Sequence, residues 1–476
     1  MRKSVIFLLI SILLVGCSAQ KEKSSTKENL VNIGVAEQNM RRAMALVDST
    51  MHYHFSEKGM ARYYNPYNNS LSEETGSVWM YTSGIEAVNA ILCGLKTHKE
   101  HGNPQLYKDN YDRYVSLLEY LYENLDYYLG TFTLTSYTQT KEWTVYGVHR
   151  ATSKGNAKVA GIENVYDDQQ WLVRELLESY RLTGNQDYFD KAEYLTEYTL
   201  DGWDCTLDEH GKENGGITWG PGYTSKHACS NGPMVSPMVW LYELYKDKDD
   251  KITYLYIDSN QNRKTNTITK RDYYLKYAQA IYDWQKKHLL RADGVFHDLL
   301  GGCVGSCDVA YEVVNGTKYR KHTQLLKPSG RAYTYNTGSL LSGAADLYRA
   351  TKDDTYLNDA KAMADSSFLY FAKFERTIPQ HYTYPTRGFS NWFNGVLLRS
   401  YVDIYPEYKG IATGINSFQQ NLDYGYANHL YRGVLPTDLL AGWSDNEEEN
   451  NTEGMFSFTY AAEYAVLARY LLKNKN

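Results

Sequence analysis

The 476-residue sequence has no block of basic residues: 50 Lys and Arg stand against 56 Asp and Glu, for a net charge of −6. Without a phosphate-neutralising surface, nucleic-acid binding is not expected. Cysteine is scarce, at six, and the closest pair, Cys303 and Cys307, flanks three residues, which is not the CxxC redox spacing. No histidines stand near that pair at zinc-ligand spacing. No clustered carboxylates call for calcium, so neither metal nor cofactor is expected. Proline is rare as well, and no Gly/Ser-rich or proline-rich linker divides the chain after Gly34. One domain over residues 31–476 is therefore expected rather than two. Bilayer-spanning length is also lacking: the apolar run Val5 to Val15 is too short for a membrane helix.

That run does fit a signal peptide, since Arg2 and Lys3 precede it. It ends in Leu14-Val15-Gly16-Cys17, which resembles a bacterial lipobox. Residues 1–16 are then expected to be removed and Cys17 to become the lipidated N-terminus. Residues 17–30 would form a polar tether, anchoring a monomer in the cell envelope at the outer membrane by lipid alone. Five cysteines remain, Cys93, Cys205, Cys229, Cys303 and Cys307. The count is odd, and Cys303 and Cys307 form either a local disulfide or two free thiols.

What is abundant is tyrosine, 46 against 13 Phe and 9 Trp. Most of the aromatic surface thus carries a hydroxyl, which suits large polar ligands such as sugars, although tyrosine also serves at half-buried helix positions. Helical periodicity dominates from Gly34 to Leu472. About twelve segments are expected, near 34–53, 79–98, 106–125, 166–183, 186–201, 229–246, 270–290, 337–350, 354–374, 390–404, 408–431 and 455–473. Leu129 to Arg150 and Ile252 to Thr269 break the pattern as β-hairpins or long loops. Tyr180-Arg181-Leu182-Thr183 and Tyr188 to Ala192 recur as Tyr348-Arg349-Ala350-Thr351 and Tyr356 to Ala360, offset by 168 residues. Repeated helix hairpins without capping repeats favour an all-α closed toroid of six hairpins, an (α/α)6 barrel, over an open solenoid.

The sharpest local feature is Tyr166-Asp167-Asp168-Gln169-Gln170-Trp171 at the start of an amphipathic helix. Neighbouring helical residues point about 100° apart, so two adjacent carboxylates can flank a substrate. Glycosidases need one protonated and one ionised carboxyl. The competing reading is a capping box, with Asp167 as cap and Gln170 completing it. Gly215 and Gly216 permit a tight turn close to a ligand, and Trp219 is either a sugar platform or a loop anchor. Asn231, Tyr335, Asn336 and Trp392 offer hydrogen bonding and stacking to hydroxyls and C–H faces, each with a structural alternative.

Taken in order, these residues resemble glycoside hydrolase family 76, the endo-acting α-1,6-mannanases. The resemblance runs from about Val31 to the C-terminus and is carried by Tyr166-Asp167-Asp168 with Trp171 and by Gly215-Gly216-Ile217-Thr218-Trp219. It continues through Ser225-Lys226-His227-Ala228 with Ser230-Asn231-Gly232, Tyr335-Asn336-Thr337-Gly338, and Phe393-Asn394-Gly395-Val396 with Arg399. It implies an (α/α)6 barrel and a retaining mechanism on α-mannan or manno-oligosaccharides, with Asp167 as nucleophile and Asp168 as general acid/base. Trp171, Gly215, Gly216, Trp219, Asn231, Tyr335, Asn336 and Trp392 would then bind substrate. Asn394 and Thr337 depart from the family's lysine and glutamine, and Ile252 to Thr269 and Gly302 to Leu325 read as added loops. Rival readings are a mannan-capturing lipoprotein without catalysis, a mannosyl transglycosylase, and an unsaturated-uronide hydrolase on the same barrel.

Overall fold

A computed structural model describes residues 31–474. The expected signal peptide (residues 1–16), Cys17 and the expected tether (residues 17–30) lie outside the described residues. Among those described, the chain forms twelve α-helices: α1 (31–54), α2 (Val78–His101), α3 (Pro104–Leu125), α4 (Tyr166–Thr183), α5 (Gln186–Asp201), α6 (Gly232–Tyr245), α7 (Lys270–Leu289), α8 (Thr334–Thr351), α9 (Asp354–Phe371), α10 (Ser390–Ile404), α11 (Ala412–His429) and α12 (Gly454–Lys473). No helix among these residues is long and apolar enough to cross a membrane.

The even-numbered helices form an inner ring in which α2, α4, α6, α8, α10 and α12 each contact the next, and α12 returns to α2. That contact closes the toroid, so the chain is an (α/α)6 barrel rather than an open solenoid. The outer helices α3, α5, α7 and α9 each lie on the inner helix before them, and α11 touches both α10 and α12. Helix α1 completes the outer set, with Met40 under Gly94 of α2, Asp48 paired to Arg113 of α3 and Arg42 paired to Asp423 of α11. Outer and inner helices differ as this layering demands. The buried residues of α3 form one stripe: Tyr114, Leu118, Leu121 and Leu125 recur every three or four positions, and Leu106 lies about two turns before them. Helix α12 is buried on nearly every face.

The internal repeat marks two equivalent turns between an inner and an outer helix. Both α4 and α8 end in a left-handed residue, Gly184 at φ 76° and Lys352 at φ 62°. In both, the side chain that follows, Asn185 or Asp353, accepts the backbone N–H two residues on and so starts the next helix. Gly338, within Tyr335-Asn336-Thr337-Gly338, lets α8 meet α10. A Cβ there would stand 3.0 Å from the Leu397 Cα.

Both expected excursions are antiparallel hairpins, Leu129–Thr135 with Thr140–Tyr146 and Lys251–Ile257 with Arg263–Thr269. The third insertion is more elaborate. Leu299–Cys303 pairs with Leu325–Ser329 on one side and with Lys226–His227 on the other. The Cys303–Cys307 disulfide follows the central strand, and a further hairpin joins Tyr311–Val314 to Thr317–Arg320. Cys93, Cys205 and Cys229 are free thiols.

Candidate active site

Local structure decides which residues at the head of α4 face the barrel opening. Val165 precedes the first turn without a side-chain cap, and the Tyr166 N–H donates to the Trp219 carbonyl at 2.8 Å. Tyr166 turns outward onto Tyr198 of α5. Gln169 accepts the Tyr146 N–H at 3.2 Å and donates to the Tyr146 carbonyl at 2.7 Å, tying the helix to the first hairpin. Gln170 donates to the Ser230 carbonyl at 2.7 Å, just before α6. With Val165 at the cap position and Gln170 engaged elsewhere, the capping box is not formed. Asp167, Asp168 and Trp171 are left to line a cleft of about 530 Å³.

The cleft lies over one end of the barrel, because its walls come from the first turns of inner helices: Trp79 on α2, the aspartates on α4, Tyr335 on α8, and Trp392 and Phe393 on α10. The partial positive charge at the start of α4 favours an anion there. Desolvation opposes it. Burial pushes the Asp167 carboxyl up to about 6, offset in part by the Cys229 thiol, the Trp219 N–H and backbone N–H groups. Asp168 is raised well above the carboxylate range, first by burial and then by the neighbouring Asp167 charge, with no hydrogen bond to oppose either. The two titrate as a pair, in which the first ionisation falls to Asp167 and Asp168 keeps its proton longer. One protonated acid beside one carboxylate is the division of labour that acetal cleavage requires.

Around the pair the cleft is aromatic. Trp219 stacks on His227 with centroids 4.8 Å apart and 13° between planes, and Tyr223 tilts against the same indole. Burial lowers His227 to about 4, so this platform is neutral near pH 7. The buried Trp79 indole nitrogen has no hydrogen-bond partner, which is unusual for a buried donor. Asp298, a further carboxyl in the cleft lining, accepts the Asn336 amide at 3.1 Å. Burial raises it, partly countered by that bond.

Of the residues singled out from sequence, Asp167, Asp168, Trp171, Trp219, Tyr335 and Trp392 line the cleft together. Gly215, Gly216, Asn231 and Asn336 do not, and they are placed behind it. Gly215 and Gly216 take φ 70° and 78° against Trp203 and Trp284, where a Cβ on Gly216 would fall 2.3 Å from the Trp284 ring. Asn231 accepts the Ile217 N–H at 2.8 Å and donates to the His227 carbonyl at 2.7 Å, holding the loop that carries His227. Trp79, His227, Cys229 and Asp298 were not assigned from sequence. Asp298 follows α7 in a loop without local signature, and only Gly330, whose Cβ would stand 2.6 Å from the Asp298 Cβ, marks how closely it is packed. Among the described residues no group of three or more His, Cys, Asp or Glu is arranged to hold a metal ion.

The raised carboxyls make a stability prediction. A carboxyl whose folded pKa lies above its unfolded value of about 3.9 gives stability that is present below that value and lost as pH rises through the folded pKa. Asp168→Asn is therefore expected to melt a few degrees higher than the wild type at pH 7, and the gain should vanish near pH 3.5. Thermal scans from pH 3.5 to 8 check this; a destabilised variant at pH 7 would show that the folded protein favours the charged form.

Residues 265–463 match the profile of glycosyl hydrolase family 76. No match is found among curated proteins. Among solved structures, the fold is similar to a family 76 glycoside hydrolase (mannosidase) from Bacteroides thetaiotaomicron, at 20% identity and TM-score 0.65, covering 91% of this chain and 98% of that one. It is also similar to an α-1,6-mannanase from Salegentibacter sp., at 19% identity and TM-score 0.58 over 91% and 99% of the two chains. An inactive variant of that mannanase, with two adjacent aspartates changed to asparagine and α-1,6-mannotriose bound, is similar at 20% identity and TM-score 0.56 over the same shares. At such identities the likeness shows the fold.

Proposed function

We propose, because residues 265–463 match the profile of glycosyl hydrolase family 76, that the protein is a glycoside hydrolase of that family and cuts α-1,6-mannosidic bonds within mannan backbones. The observation that carries the reading is the adjacent Asp167–Asp168 pair, both carboxyls raised by burial and Asp168 the further, in an aromatic cleft. That adjacent aspartates are changed in the inactive, mannotriose-bound relative supports the assignment. Asp168 protonates the glycosidic oxygen while the Asp167 carboxylate attacks the anomeric carbon, so the C–O bond breaks as a glycosyl ester forms. Asp168, now ionised, takes a proton from water. The water oxygen attacks the same carbon and frees Asp167, so configuration is retained. Trp219 and Trp392 supply apolar faces, and the Trp79 N–H is a donor for a sugar hydroxyl. A lipid at Cys17 would hold the enzyme at the cell envelope.

Purified residues 18–476 should release short oligosaccharides from linear α-1,6-mannan and none from β-mannan. Absence of products with binding intact would move the protein to the mannan-capturing class. In the active enzyme, kcat/KM is expected to follow a bell whose acid limb reports ionisation of the pair's first proton and whose alkaline limb reports loss of the second. Because burial raises both, the whole bell should lie above the ordinary carboxylate range, and a plateau extending down to pH 4 would contradict the assignment.

A further inference from the structure

Trp392 borders two separate spaces. One is the cleft; the other is a chamber of about 70 Å³ along the barrel axis, and among the described residues Trp392 alone lines both. The chamber is charged, with Glu86 on α2, Arg174 and Glu175 on α4, Arg399 on α10 and Glu463 on α12 in its wall. Trp392 turns its indole N–H away from the cleft and donates to Glu86 Oε2 at 3.0 Å. The other Glu86 oxygen is held by the Arg399 guanidinium. On the cleft side Trp392 meets Trp171 edge-on at 4.8 Å and 90°, and Trp79 at 5.2 Å and 89°. Trp171 in turn lies one helical turn beyond Asp167.

We infer that Glu86, which does not reach the cleft, is a positioning residue: clamped by Arg399, it fixes Trp392 as the cleft floor beneath the catalytic pair and so sets how tightly a sugar ring is held there. The inference rests on the glycan-binding reading of the cleft. Its physical basis is that a charge-assisted hydrogen bond at one end of the indole and two perpendicular indoles at the other leave the ring one orientation. A carboxylate serving only to neutralise the chamber's arginines would act through its charge. One that orients Trp392 acts through its acceptor oxygen.

The two roles separate in Glu86→Gln with Arg399→Leu, which loses the charge but leaves the single amide oxygen free to accept the Trp392 N–H, and in Glu86→Leu with Arg399→Leu, which removes the acceptor as well; neither leaves the Arg399 guanidinium unpaired. Near-UV circular dichroism of the Trp79–Trp171–Trp392 cluster reads the ring orientation without any ligand, and KM and kcat on linear α-1,6-mannan read its consequence. Glu86→Gln with Arg399→Leu should keep the wild-type near-UV spectrum and KM. The double leucine variant, with wild-type far-UV helicity, should show a changed tryptophan region of the near-UV spectrum and raise KM about tenfold with a smaller change in kcat. A double leucine variant that keeps both spectrum and KM, or a glutamine–leucine variant as impaired as the double leucine variant, would overturn the inference. A wild type that fails to turn over mannan would instead defeat the glycan reading, and the near-UV comparison would still decide the role of Glu86.

Discussion

Asp167→Ala is expected to lower kcat on α-1,6-mannan by about four orders of magnitude or more, because the first chemical step loses the atom that forms the new bond. Asp168→Ala should cost about 10²–10⁴ through loss of proton transfer. The two are distinguished by added azide. In Asp168→Ala a glycosyl ester still forms on Asp167, and azide attacks it to give a mannosyl azide opposite in configuration to the ester and like the substrate. In Asp167→Ala azide attacks the substrate directly, giving the opposite configuration. NMR of the azide products checks the assignment, and an exchange of the two outcomes would reverse the roles of the neighbours. Burial alone does not choose between them. The choice follows from the environment, since Asp167 faces the Cys229 thiol and the Trp219 N–H while Asp168 faces chiefly the charge of Asp167.

The second large effect is structural. Lys226→Met should destabilise the fold by about 3–5 kcal/mol, since it strands a buried carboxylate. Asp204 is fully buried, and the Lys226 ammonium, itself buried, donates to its Oδ2 at 2.9 Å. His322 approaches the same oxygen at 2.7 Å, Thr206 donates to the other, and Lys226 also donates to the Gly215 carbonyl. Burial would raise the Asp204 carboxyl, but the Lys226 charge and the His322 bond outweigh it and hold the group well below the usual range. A depressed folded pKa gives stability that is present above the unfolded value of about 3.9 and lost as pH falls below it. Denaturant midpoints of Lys226→Met and wild type from pH 3 to 8 measure both features. A loss near zero at pH 7 would mean that His322 and Thr206 suffice. The consequence reaches the cleft, because Lys226 adjoins His227 and braces the Gly215–Gly216 turn.

The barrel was largely legible because its elements declare themselves locally. The starts and ends of α4, α5 and α10 coincide with those expected from periodicity, and Asn185 marks the break between the first two. Helix α11 begins later than expected because Lys409–Ile411 tighten into a 3-10 turn. Short strands were not legible. Tyr63–Asn65 pairs with Ser70–Leu71 and with Thr452–Glu453 at the far end of the chain, and two or three residues carry no alternation to detect. In the site, motif spacing found the right neighbourhood without telling surface from foundation. Trp219 and Asn231 belong to adjacent motifs, yet one faces the cleft and the other fastens its loop. Trp79 and Asp298 reach the cleft only through tertiary packing, so no local pattern announced them, and His227, though inside a quoted motif, had no role that the motif could reveal.

In the proposed reaction Asp167 carries a covalent glycosyl intermediate, with Asp168 assisting both its formation and its breakdown. This is tested most directly by following wild-type enzyme and linear α-1,6-mannan by proton NMR from the first minutes, before mutarotation. The first new reducing ends are expected to be α-configured, as in the substrate. First-formed β ends would contradict it, and would make water rather than Asp167 the group that attacks the anomeric carbon.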